Sequence, residues 1–128
     1  MKINEKQIEA VISLPGHQRY EYFIKTVVDW ESVWGLYQDG WALASTNDGE
    51  QVFPLWPTGE YAALCANEVW SGYAPVSIPL DEMMGELLPS LKSNGVLPGV
   101  FYTPTDMGTT PSVEQLTEDL QSELEKYE

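Results

Sequence analysis

The chain has 128 residues and carries 20 acidic side chains against six basic ones, a net charge of −14 at pH 7. That length suits one domain, residues 1–128, with a core of its own. So acidic a surface repels phosphate backbones and argues against nucleic acid as a partner. No apolar run approaches the roughly 18 residues that span a bilayer, which argues against a membrane segment. The single cysteine, Cys65, excludes an intrachain disulfide and suits a reducing compartment. The opening residues, MKINEKQIEA, lack the apolar stretch of a signal peptide, so the expected location is the cytoplasm.

Asn4 is suited to cap a first helix in which Ile8, Val11 and Ile12 share a face, ending before Pro15. From about His17, Tyr20, Phe23, Ile24 and Val27 repeat at helical spacing and predict a second. At Trp30 the period changes. Residues 32–37, 41–45 and 51–56 are short aromatic and apolar runs divided by Gln38-Asp39-Gly40 and Asn47-Asp48-Gly49, which predicts an antiparallel meander of three strands. Thr58 then caps a helix bearing Tyr61, Ala62, Cys65 and Val69 on one face.

Residues 73–80 read as a strand. Asp81 opens a helix with Met83, Met84, Leu87, Leu88 and Leu91 inward, which Pro89 must kink or break before Asn94-Gly95 ends it. Residues 96–102 form a last strand and 103–110 a polar loop. A final helix begins at Thr110 or Ser112, with a thin apolar stripe of Val113, Leu116, Leu120, Leu124 and Tyr127 and acidic flanks. The predicted class is α+β: a meander followed by α-β-α-β-α, giving a mixed sheet with helices mainly on one face. Pro54, Pro75, Pro79 and Pro98 fall in or beside strands and predict short strands, edges or bulges.

Catalytic chemistry finds no constellation. Cys65 has Leu64 and Ala66 beside it and no cation to lower its pKa, so it reads as a core thiol. His17 is the lone histidine, and one histidine with one cysteine cannot build a four-ligand zinc site. No glycine-rich phosphate loop is present. The expectation is therefore no catalytic residue, no metal and no cofactor.

Two features stand out. Between Lys25 and Lys92 lie ten acids and no lysine or arginine. All five tryptophans fall within the same interval, at positions 30, 34, 41, 56 and 70. Aromatics at such density build a core where meander meets helix, or line a binding surface. The segment Phe53-Pro54-Leu55-Trp56-Pro57 runs from a strand straight into a helix start, the kind of junction where ligand sites open. Trp56, Tyr61 and Trp41 are the candidate binding aromatics, with Trp56 and Tyr61 expected to face solvent. Arg19, the only arginine, is the candidate for a carboxylate partner or an internal ion pair.

Residues 22–24 (YFI), 33–36 (VWGL), 40–41 (GW), 53–57 (FPLWP), 61–62 (YA), Trp70, 78–80 (IPL), 88–89 (LP) and 100–101 (VF) resemble, in order and spacing, a bacterial family known as domain of unknown function 2750. The resemblance spans about residues 5–128 and implies a bacterial, cytosolic α+β protein. It brings no activity and no site residues.

The functional expectation is a non-enzymatic protein-binding or regulatory domain, using its acidic surface and an aromatic patch to hold a basic protein partner. The alternative is a small-molecule binder or carboxylate-based enzyme with a pocket near Trp56 and Arg19.

Overall fold

The helical spacing of the first thirty residues is realised as α1 (Glu5–Ile12) and α2 (Gly16–Trp30), separated at Pro15. The computed structural model describes residues 5–66, 70–104 and 107–127; the cap expected at Asn4 and the helical position expected for Val69 lie outside them. Phe23, Ile24, Val27 and Val28 form the buried face of α2. Glu31 ends that helix in a left-handed conformation (φ 56°) and turns the chain into β1 (Ser32–Tyr37).

Four further strands follow: β2 (Ala44–Ser45), β3 (Gln51–Leu55), β4 (Ala74–Pro79) and β5 (Leu97–Val100). β1 pairs antiparallel with β4 along its whole length. β3 lies between β2, antiparallel to it, and β5, parallel to it. The α+β class and a mixed sheet are thus both present. Of the predicted meander, β2–β3 is a hairpin, while β1 meets β3 through one bridge, Trp34–Trp56, with backbone bonds of 2.9 and 2.8 Å. The first turn forms, closing Tyr37 onto Trp41, but the chain then leaves β1, and the strand expected over 41–45 shortens to two residues.

Prolines explain this division. Thr46 N–H donates to Glu50 O and Trp56 N–H to Trp34 O, so alternate positions 50, 52, 54 and 56 of that segment present their polar groups to the β2–β1 side. Pro54 has no N–H to offer there, and it falls in the interval between the Ala44–Val52 pair and the Trp34–Trp56 bridge. On β4, Leu80 N–H donates to Glu31 O, which turns the odd positions outward. Pro75 and Pro79 therefore strip the outer edge of donors and leave Ser77 alone on it. Such an edge is protected against strand addition.

α3 (Gly59–Leu64) packs on β1 and β4. The helix expected after Asp81 begins one residue earlier, as α4 (Leu80–Glu82), and Asp81 Oδ1 accepts the Glu82 N–H at 2.9 Å. It widens into a π turn, Met83–Leu87, and resumes as α5 (Leu88–Ser93). Leu88 N–H reaches back five residues to Met83 O. The wider turn is how the helix accommodates Pro89, which removes a donor and would strike the Gly85 carbonyl in a regular helix. Asn94 and Gly95 (φ 69°) close it as expected. α6 (Val113–Glu125) is capped by Ser112, whose Oγ accepts the Gln115 N–H at 3.0 Å. Val113, Leu116 and Leu120 are buried and Leu124 partly so, whereas Tyr127, expected on the same stripe, is 60% exposed beyond the helix end.

The buried apolar side chains form one cluster, with Trp56, Tyr61, Phe23, Phe101 and Met83 among its largest members. Among the described residues no helix is long and apolar enough to cross a membrane.

Burial makes this core sensitive to alkali. It raises the pKa of Cys65 from 9.0 to about 11, and it pushes Tyr20, Tyr61 and Tyr102 above the ordinary tyrosine value of 10.0. Each group keeps its proton in the folded protein at a pH where the unfolded chain has released it. Their contribution to stability is complete below the unfolded values and falls as pH rises past them. The urea midpoint is expected to hold between about pH 7 and 8.5 and to drop steadily above about pH 9.5. A midpoint flat to about pH 11 would show that these groups ionise as freely folded as unfolded.

Candidate binding cleft

β3 and the junction behind it are buried on both faces, so alternation along the strand exposes nothing after Gln51. Trp56 is fully buried, and its indole Nε1–H donates to Tyr102 O at 2.9 Å. Tyr61 is 1% exposed; its hydroxyl meets that of Tyr22 at 3.2 Å and its ring lies 4.9 Å from Phe101. The expectation that these two aromatics face solvent is corrected: each has a hydrogen bond inside the protein, which lets its polar end be buried. Arg19 is also interior, at 3% exposure. It donates to Leu14 O at 3.0 Å and to Met107 O at 3.5 Å, tying the α1–α2 turn to the loop after β5.

Trp41 is the one sequence candidate with a partly open ring. A Cβ on Gly35 would lie 2.9 and 3.0 Å from two of its ring atoms, so the indole rests directly on that glycine. Tyr37 stands edge-on to it at 5.1 Å and Phe53 lies behind it at 5.6 Å. The four candidates therefore do not converge.

Two other tryptophans do. At the β3–α3 junction, Trp30 from the end of α2 and Trp34 from the middle of β1 line a cleft of about 500 Å³. Thr58, Gly59, Glu60 and Ala63 from the start of α3, with Pro75 from β4, complete its lining. Both indoles are half-buried. A Cβ on Gly59 would sit 3.1, 3.2 and 3.4 Å from three adjacent carbons of the Trp34 six-membered ring, which places Gly59 over the ring face and fixes the indole against α3. Thr58, 1% exposed, makes no side-chain cap bond, and its buried hydroxyl has no hydrogen-bond partner among the described residues. Glu60 is the single ionisable group of the lining. Neither Trp56 nor Arg19 lines this cleft.

A cleft lies at the strand-to-helix junction after β3, lined by side chains other than the expected Trp56 and Tyr61. The readable signal was alternation on β1: Val33 and Gly35 point to one face, which places Trp34 on the other. Trp30 gives no comparable signal, because its place in the cleft depends on how α2 meets α3.

The family DUF2750, described as proteins of unknown function, matches residues 20–120. The chain belongs to DUF2750. Every cleft residue of this DUF2750 protein falls inside the matched span, whereas α1 and the last turns of α6 fall outside it. No curated protein matches the chain.

Proposed function

We propose that this DUF2750 protein is a non-enzymatic binding domain whose cleft receives a cationic side chain of a basic protein partner. The observation that carries this reading is the lining itself: two half-buried indoles, a proline and one carboxylate, with no basic residue among them. An indole face is electron-rich and attracts ammonium or guanidinium groups, and Glu60 adds a full negative charge at the same place. The surrounding chain reinforces it, since the 66 residues between Lys25 and Lys92 hold no cation to compete. The volume suits one or two side chains of a peptide. A paired-carboxylate mechanism would call for a second carboxylate in the cleft, and the lining has only Glu60.

The test is a titration of tryptophan fluorescence with an Arg- and Lys-rich peptide, at about 20 mM and about 300 mM salt. Binding should weaken by about tenfold or more between the two conditions. Trp34→Ala and Glu60→Gln should each lower affinity by roughly tenfold, and Glu60→Gln should leave the unfolding free energy within about 0.5 kcal/mol of wild type. Salt-independent binding, or binding indifferent to both substitutions, would sink the reading.

A further inference from the structure

We infer that the groove between α5 and α6 is a second docking surface, shaped for a basic amphipathic helix of a partner protein. The groove has a volume of about 550 Å³ and shares no lining residue with the tryptophan cleft. Its floor is apolar, formed by Met84, Pro89 and the first helical residue of α6, Val113. The π turn sets this floor: it keeps the helix continuous through Pro89, whose exposed ring brings no N–H to the surface.

α6 supplies the wall in a regular pattern. Leu116 and Leu120 point to the core, while Val113, Thr117 and Gln121 repeat every fourth residue along the groove. Charge is equally patterned. Glu114 is paired with Lys92, whereas Glu118 and Glu125 have no ion-pair partner among the described residues. An apolar floor flanked by unpaired carboxylates complements a helix with one apolar stripe and lysine or arginine beside it. From Val113 to Glu125 the wall runs about 18 Å, the length of three helical turns. A second copy of this chain is the wrong occupant, because it would bring another net charge of −14 to the acidic face.

The probe is a capped Leu/Lys peptide of about 14 residues with leucine at helical i, i+3, i+4 and i+7 spacing, beside a peptide of the same composition without that spacing. Amide chemical shifts of the full chain are followed by NMR during each titration. The amphipathic peptide should bind at least about tenfold more tightly than its permuted control and should shift Thr117, Gln121 and the α5 amides. The Glu118→Lys/Glu125→Lys variant, altered only at exposed positions, should lose about tenfold or more in affinity. Equal binding of the two peptides would overturn the inference, and so would shifts confined to Trp30 and Trp34, an outcome that leaves the cleft reading standing. A dimer in sedimentation velocity that the same variant dissociates would overturn it too, by assigning the groove to a second copy. Loss of the cleft's response to Trp34→Ala with the α6 shifts intact would separate failure of the first reading from failure of this one.

Discussion

Trp56→Ala is expected to destabilise the protein by about 3–5 kcal/mol, a large part of the roughly 5–15 kcal/mol that holds a domain of this size folded. The ring is completely buried, stands edge-on to Trp70 at 5.9 Å, and holds Tyr102 O through its Nε1–H. Alanine keeps the backbone bridge to Trp34 but leaves a cavity beneath it, where that bridge links the two small sheets. Trp56→Phe separates the contributions. It retains most of the apolar area and deletes the donor, leaving Tyr102 O with the thiol of Cys65 at 3.5 Å. That variant should lose about 1–3 kcal/mol. Urea unfolding followed by circular dichroism measures both. A loss below about 1 kcal/mol for Trp56→Ala would mean that the site collapses around the missing ring.

Phe101 should give an unusual order of stabilities. It follows β5 with a φ of 63°, a left-handed backbone that costs an L-residue roughly 1–2 kcal/mol. The conformation is held because its N–H donates to Leu55 O at 2.9 Å, extending the parallel ladder, and because its ring is fully buried against Tyr61 and Tyr22. Phe101→Ala removes the ring and keeps the strain, for an expected loss of about 3–5 kcal/mol. Phe101→Gly removes slightly more side chain but relieves the strain, so it should be the more stable of the two by about 1 kcal/mol. Glycine normally weakens a structured segment relative to alanine. Finding alanine the more stable here would show that residue 101 carries no backbone strain.

Much of the local structure is legible in the residues. Ser112 caps α6, Asn94-Gly95 ends α5, and Asn47-Asp48-Gly49 turns the β2–β3 hairpin because each of these residue types meets its local backbone demand unaided. Pro89 predicts a disturbed helix; that the disturbance is a π turn and not a break depends on Met83 and Leu88 both reaching the core. The candidate site was half legible. The Phe53–Pro57 segment marks the junction where the cleft opens, yet it points to Trp56, which Tyr102 and Trp70 enclose, and to Tyr61, which Tyr22 and Phe101 enclose.

Composition, period and turn chemistry determine by themselves that this is an acidic α+β chain with its tryptophans gathered in one interval. They act within a few residues, so no distant partner is needed to set them. Which indoles are buried and which line a cleft was decided by tertiary structure alone. Trp34 and Trp56 are bridged neighbours in the fold but 22 positions apart in the chain. Trp56 is closed in by Tyr102, which accepts its indole N–H, and by the edge-on ring of Trp70, whereas Trp34 rests on Gly59, a residue with no side chain to cover it. Alternation on β1 tells which face Trp34 takes, but how far an indole is buried depends on what arrives from elsewhere in the chain.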